Sequence, residues 1–139
     1  MLNRWKKLVR EAERQLVRAE AARAACRPVW AWFAAHQSAE FAVKALRLRY
    51  SLNGHERMVT RLLLDLPATV PVPESLLEKA HVFDSHYLPI RLADTEPLDQ
   101  PRANGIATDH AVDTAREILA FVHAELLAER TAPPESRSA

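Results

Sequence analysis

Apolar residues recur at three- and four-residue intervals along most of the chain, which is the spacing of one face of an α-helix. This pattern predicts five helices, over about 3–25, 28–50, 58–66, 74–88 and 108–130. Asn3 and Thr108 are residue types that favour the N-cap position of the first and the last helix. Pro28 suits the first turn of the second helix, and Pro89 closes the fourth because the residue before a proline avoids helical geometry.

The segments between the predicted helices are short, with one exception. Asn53-Gly54 predicts a chain reversal after the second helix, and "PATVPVP" is a stiff connector before the fourth. The stretch "IRLADTEPLDQPRANG", residues 90–105, is a loop of a length that is uncommon in compact domains and often functional. We expect residues 131–139 to form a disordered tail. The prediction is an all-α fold, a single-domain up-and-down bundle of about five helices over residues 1–130.

Composition and charge fit a helical domain without a strong electrostatic bias. The 139 residues are 48% hydrophobic and 27% charged, with two glycines, which is typical of a soluble globular protein. The 19 basic and 18 acidic residues nearly cancel, so no large positive field indicates binding to nucleic acid or a membrane. The first 27 residues are richer in basic side chains, and a solvated face of the first helix explains them better than the alternative, a phosphate-binding strip. No long apolar run is present, so we expect a cytoplasmic protein without a membrane span.

The residues that could bind a metal or a cofactor are few. Cys26 is the single cysteine, which excludes an intrachain disulfide, and we expect it to pack as a small side chain between two helices. His81 and His86 lie five residues apart on different faces of the fourth helix, so they do not converge on one metal ion. Two isolated glycines cannot form a phosphate-binding loop. We therefore predict no metal site and no cofactor.

The second predicted helix carries polar residues on its apparently most apolar arc. At about 100° per residue, one arc holds Trp30, Phe33, Gln37, Glu40, Phe41, Lys44 and Leu48. A buried polar group costs free energy unless it is hydrogen-bonded, and Glu40 precedes Lys44 by four residues, the order that favours an ion pair. Two interpretations remain open. Either the polar side chains are satisfied internally at the rim of the core, or they line a groove that meets a ligand or a partner.

Four segments of the sequence together carry a family resemblance. They are "AERQLVRAEAA" in the first helix, "HQSAEFAVKALRLRYSLNGH" with Gln37, Glu40 and Lys44-Ala45 ahead of a Gly-His turn, "HERMVTRLL", and "HYLPIRLADTEP" with Tyr87 and Arg91. In this order they resemble the HEPN domain, a small α-helical domain, over nearly the whole chain to about Arg130. The chain departs from the family at one motif, because Arg91-Leu92-Ala93 stands where family members have Arg-Tyr-Pro.

The resemblance implies a binding or partner protein. Prokaryotic HEPN proteins commonly associate with a minimal nucleotidyltransferase, often as the toxin half of a toxin–antitoxin pair, and the family name refers to proposed nucleotide binding. The resulting candidate nucleotide- or partner-binding residues are Gln37, Glu40, Lys44, His55, Tyr87 and Arg91. We also expect a homodimer, because the first two helices carry more apolar surface than one neighbouring helix can cover.

Tyr87 and Arg91 are predicted to share one anion-attracting surface at the start of the long loop. Pro89 ends the fourth helix between them, and the Arg91 guanidinium then points outward where it can bind a phosphate or a carboxylate. His55 approaches the same surface if the second and fourth helices run side by side. The alternative is that Arg91 pairs with Asp94 or Glu96 and only holds the loop.

Some relatives of the domain are ribonucleases in which an Arg precedes a His by a few residues, which defines an alternative function: metal-independent cleavage of RNA. A His can move the proton of the 2′-hydroxyl or of the leaving oxygen, and an Arg stabilises phosphate charge. Arg49 with His55 and Arg116 with His123 have this order. A chain with 15 Arg and 6 His produces such pairs by chance, so enzymatic activity stays open.

Overall fold

Five helices make up the described part of the chain, residues 4–52, 54–85 and 105–128 of a computed structural model. They are α1 (Arg4–Ala24), α2 (Pro28–Arg49), α3 (Val59–Leu64), α4 (Glu74–Ser85) and α5 (Gly105–Ala128). No strand occurs within these residues, and the predicted all-α fold of about five helices is confirmed. For residues 105–107 the backbone alone is described.

α2 is the central helix of the bundle, as its alanine-rich sides predict. It packs against α1, α3 and α5, and 13 of its 22 residues are buried. Ser38 of α2 donates a hydrogen bond from Oγ to the carbonyl oxygen of Ala12 in α1 at 2.7 Å, which requires the two helix backbones to lie close together. On the side facing α4, the Trp32 and Phe83 rings pack with centroids 4.8 Å apart. Small residues thus bring α1 close, and aromatic rings fill the wider space towards α4.

Contacts near the helix ends give the relative directions of the three long helices. Arg49 near the end of α2 lies over the ring of Trp5 near the start of α1, with its guanidinium carbon 5.2 Å from the ring centroid, so α1 and α2 are antiparallel. Two ion pairs join α5 to α1 in reversed order, Arg116 with Glu20 and His123 with Glu13. α5 is therefore antiparallel to α1 and parallel to α2. None of the helices in the described ranges is long and apolar enough to cross a membrane.

α1 and α2 end in the same way, with a non-glycine residue in the left-handed backbone region. Cys26 has a φ of 59° and Ser51 a φ of 62°. The following N–H donates to a carbonyl in the last turn, Arg27 to Ala22 at 2.8 Å and Leu52 to Arg47 at 2.9 Å, which defines a Schellman ending. Cys26 is exposed, so the prediction that it packs between two helices is wrong: the reversal turns its side chain to solvent. The reversal after α2 begins at Ser51, before the predicted Asn53-Gly54.

The start of α5 also differs from the prediction. α5 begins at Gly105, three residues before Thr108, so Thr108 is not its N-cap. Thr108 is 2% exposed and lies on the same buried side of α5 as Ala111 and Ala115. The hydroxyl that suggested a cap is therefore part of the buried helix face. Asn3, the predicted ends of the fourth and last helices at residues 88 and 130, and the predicted tail lie outside the described residues.

Candidate functional site

The arc of α2 that mixes apolar and polar residues lies at the edge of the core. Most of its members are accessible to solvent to some degree: Trp30 and Gln37 are exposed, and Phe33, Phe41, Lys44 and Leu48 are half-buried. The fully buried side chains of α2 lie on other faces, and Trp32 and Val43 are at most 1% exposed. The assumption that this arc is the main buried stripe of the helix is therefore wrong. The polar residues border the core and do not interrupt it.

Glu40 is the one polar residue of this arc that is buried. It is 5% exposed, and Lys44 donates a hydrogen bond from Nζ to its Oε2 at 2.8 Å. A carboxylate at this depth requires such a partner, so the pair satisfies Glu40 internally. Gln37, one turn earlier, stays at the surface. An ammonium group carries three N–H donors, so Lys44 keeps donors for another acceptor.

Lys44 also lines a small cavity between the start of α1 and the end of α2, which we call the α1–α2 cavity. Its volume is about 80 Å³, and its lining consists of Arg4, Leu8, Lys44, Arg47, Leu48, Leu52 and Gly54. The charged members of this lining are all cations. Arg47 is 6% exposed, and its Nη1 donates to Asp65 Oδ2 at 2.6 Å. Arg4 and Arg47 are not among the site residues predicted from the sequence, although the antiparallel packing of two helices joined by a three-residue link brings residue 4 near the end of α2.

His55 follows the cavity-lining Gly54 directly and is exposed. The structure therefore brings Lys44 to the cavity and His55 to the chain segment beside it. Tyr87 and Arg91 lie outside the described residues, as does the loop that contains Arg91. The surface that Tyr87 and Arg91 are expected to share with His55 therefore remains a prediction.

A buried polar cluster joins α2, α3 and α4. His36 is 1% exposed, and its Nε2 lies 2.8 Å from Asp84 Oδ1; because a carboxylate can only accept, Nε2 carries the proton. The same carboxylate accepts the backbone N–H groups of Val59 at 3.0 Å and Thr60 at 2.7 Å. Asp84 of α4 thus caps the N-terminus of α3 across the fold, in the role that a local Asp or Ser usually has.

The protonation of Asp84 follows from these contacts. Burial raises the pKa of the Asp84 carboxyl, but the hydrogen bonds from His36 and from the Thr60 N–H outweigh burial and hold this pKa below its ordinary value. His36 is also stacked on Trp32 and meets the edge of Phe83. The cluster is therefore part of the core. The cluster was not predicted from the sequence, because no local pattern links residues 36, 59 and 84.

Three of the four residues in the two Arg–His pairs make other contacts within the bundle. Arg116 pairs with Glu20 and with Asp113, while His123 lies 3.0 Å from a carboxylate oxygen of Glu13. Arg49 lies over the Trp5 ring and donates to the Leu126 carbonyl at 3.5 Å. Each of these side chains has a structural contact of its own. No group of three His, Cys, Asp or Glu that could hold a metal ion occurs among the described residues.

A larger groove runs between the start of α1 and the end of α5, and we call it the α1–α5 groove. Its volume is about 450 Å³, and it is lined by Trp5, Lys6, Val9, Arg10, Glu13, His123, Leu126 and Leu127. Leu127 is 82% exposed, so most of its apolar surface is accessible to solvent and could be buried by a partner. Basic and acidic side chains border the apolar floor, so the groove combines apolar surface with both signs of charge.

Together, the bundle, the α1–α2 cavity and the α1–α5 groove define a small all-α domain with surfaces suited to binding. The HEPN domain model matches residues 5–127 of this chain. The chain belongs to the HEPN domain family. The resemblance found in the sequence is thereby confirmed.

Three solved structures have the same fold. TT1696 from Thermus thermophilus is 37% identical, with a TM-score of 0.78 over 88% of this chain and 98% of that chain. ST0689, an archaeal HEPN homologue, is 26% identical, with a TM-score of 0.71 over 88% and 97% of the two chains. A HEPN domain protein from Thermotoga maritima is 24% identical, with a TM-score of 0.69 over 89% and 99%, and is similar in fold. No curated protein matches this chain.

Proposed function

We propose that this chain is a cytoplasmic HEPN-domain binding protein that acts through partners and is not a self-sufficient enzyme. In this proposal it forms a homodimer, associates with a minimal nucleotidyltransferase in the manner of a toxin–antitoxin pair, and binds nucleotide near the end of α2. The observation that carries the proposal is the α1–α5 groove with its exposed Leu127. Exposed apolar surface of this kind usually marks a contact with another protein.

The α1–α5 groove has the features of a two-fold contact. Trp5, Val9 and Leu127 supply apolar area, while Arg10 and Glu13 lie on the same lining. In a two-fold contact each copy presents the same patch, so Glu13 of one copy can lie against Arg10 of the other. Apolar area and self-complementary charge together favour a second copy of this chain as the occupant.

Light scattering of the purified protein tests the homodimer. We expect a mass of about twice 15.7 kDa at tens of micromolar, and a shift to the monomer in Leu127→Glu, which places a charge in the groove. Val82→Glu is the matched control, since Val82 is an exposed apolar residue of α4 outside the groove. A monomeric wild type, or equal dissociation by both variants, would remove the dimer proposal.

The nucleotidyltransferase partner is supported by the family resemblance. It is tested by co-expressing the tagged chain with a nucleotidyltransferase encoded beside it and measuring whether the two co-purify at fixed stoichiometry in high salt. Failure to co-purify, or co-purification lost at moderate salt, would remove this part of the proposal and leave the homodimer standing.

Nucleotide binding is supported by the cations near the end of α2. Lys44 and the exposed His55 stay the proposed contacts in the described residues, with Gln37 and Glu40 on the adjoining edge of α2. Tyr87 and Arg91 complete the proposed set. The ribonuclease alternative loses support because Arg49, Arg116 and His123 each make a structural contact.

A further inference from the structure

The α1–α2 cavity has the composition and size of an anion site. We propose that it binds a single phosphate group, held by Arg4, Lys44 and Arg47. The proposal rests on the nucleotide-binding part of the proposed function and extends it, since it names the chemical group that is bound and adds Arg4 and Arg47 as binding residues.

The charge distribution around the cavity favours an anion. Arg4, Lys44 and Arg47 line it, and none of the described carboxylates does. The carboxylates that pair with Lys44 and Arg47, those of Glu40 and Asp65, lie outside the lining. Arg4 makes no ion pair within the described part of the chain. Three cations around one cavity repel each other unless an anion lies between them. Lys44 and Arg47 each have one carboxylate partner outside the cavity, which offsets their charge only in part.

Arg47 gives the site a fixed donor. Its side chain is 7% exposed and is held by Asp65, which is itself 66% exposed. The guanidinium carries five N–H donors in a rigid fork, so one hydrogen bond to Asp65 leaves others for a phosphate oxygen. A donor that is already fixed loses little conformational entropy on binding, and its burial reduces the screening by water. Arg47 also lines a second cavity of about 300 Å³ with Arg61 and Asp65.

The start of α1 adds a second reason for an anion at this end. The first turn of α1 contains no acidic residue, and Arg4, Lys6 and Lys7 fall at its beginning. Cations at a helix N-terminus oppose the helix dipole and reduce helix stability. A phosphate at the cavity would interact favourably with the start of α1 and with Arg4, the cation of this turn that lines the cavity.

The size of the cavity limits the ligand to one group. A volume of about 80 Å³ is the space of a few water molecules, which holds a phosphate group but not a base or a sugar. Gly54 lines the cavity with a φ of 154°, and apart from its chain neighbours no atom lies within 4 Å of where a Cβ would be, so there is open space beside it. The rest of the ligand then extends over the surface next to His55.

Titration calorimetry of the purified chain at low ionic strength tests the site, with pyrophosphate, ATP and adenosine as probes. We expect pyrophosphate and ATP to bind, adenosine not to bind, and the affinity to fall as salt is added. Removal of one charge-assisted hydrogen bond in Arg4→Gln should weaken binding about tenfold. Lys7→Gln is the matched control, because it removes the same charge from the same exposed turn outside the cavity, and it should change the affinity less than about twofold.

Arg47→Gln should abolish binding. Because this substitution also removes the buried partner of Asp65, circular dichroism is used to check that the variant folds. Arg4→Gln remains the decisive variant. A short RNA with and without a 5′-phosphate distinguishes the source of the phosphate, and preference for either ATP or the phosphorylated RNA supports the site. No binding of pyrophosphate at millimolar concentration, equal binding of adenosine and ATP, or equal losses in Arg4→Gln and Lys7→Gln would overturn it. The titration uses the chain alone, so a negative result leaves the dimer and the nucleotidyltransferase proposals untouched.

Discussion

Replacing Asp84 by alanine removes the contact that holds α3 in place. The Asp84 carboxylate accepts hydrogen bonds from Val59 N–H, Thr60 N–H and His36 Nε2 at 2.7 to 3.0 Å. Loss of a helix cap costs about 1 kcal/mol, and a buried His36 N–H left without an acceptor costs about 1–3 kcal/mol more. We expect Asp84→Ala to lower the free energy of unfolding by about 3 kcal/mol. α3 has six residues, too few to be stable without such support.

The effect of Asp84→Ala should depend on pH in a defined direction. The folded-state pKa of Asp84 is lowered, so it lies below the unfolded value of about 3.9. A group of this kind contributes stability above its unfolded pKa, and the contribution is lost as the pH falls through the folded pKa. The difference between wild type and variant should therefore be full at pH 7 and shrink below about pH 4.

Urea unfolding at pH 7 and at pH 3, followed by circular dichroism, measures both effects. Asp109→Ala serves as the control, because Asp109 is 63% exposed in its pair with Arg23, and exposed pairs contribute less than about 1 kcal/mol. Hydrogen exchange of the Val59 and Thr60 amides should accelerate in Asp84→Ala alone. A loss below about 0.5 kcal/mol at pH 7, or an equal loss at both pH values, would refute the capping role.

Three further substitutions test local features of the fold. Cys26→Gly should stabilise the protein by about 0.5–1 kcal/mol in urea unfolding, since Cys26 is exposed with a φ of 59° that glycine adopts without strain; destabilisation would contradict this. Ser38→Ala should cost about 1 kcal/mol through loss of the hydrogen bond to Ala12, and an unchanged urea midpoint would argue against that contact. Lys44→Ala should lower the melting temperature, because the buried Glu40 loses its partner at a cost of about 1–3 kcal/mol; a melting temperature unchanged within a few degrees, with weaker ligand binding, would instead assign Lys44 to binding alone.

Helix number, order and type could be predicted from the sequence because they depend on local periodicity. The central position of α2 also followed, since alanines on several of its faces permit close packing. The arc with Trp30, Gln37 and Lys44 was misjudged for a related reason. Periodicity finds where apolar residues cluster, but alanines together with Trp32, Val43 and Leu46 form the buried faces of α2, while the apolar members of this arc lie at the edge of the core.

The polar contacts could not be predicted in the same way. His36 and Asp84 are 48 residues apart, and their pairing depends on how α4 crosses α2. The reversal after α2 was predicted from Asn53-Gly54, whereas Cys26 and Ser51 adopt the left-handed conformation that Schellman hydrogen bonds accompany. Arginine is usually a surface residue, so the sequence gives no sign that Arg47 is buried. Only the packing of α1, α2 and α3 buries it beside a cavity.

Incubation of the purified chain with labelled RNA, with and without EDTA, tests most directly whether this HEPN domain binds or cleaves. We predict intact RNA in both conditions over hours, because Arg116 and His123 are held by carboxylates of α1 and Arg49 lies on Trp5. His55→Gln and His123→Gln preparations identify any contaminating nuclease. Cleavage that persists in EDTA and disappears in either variant would contradict the account.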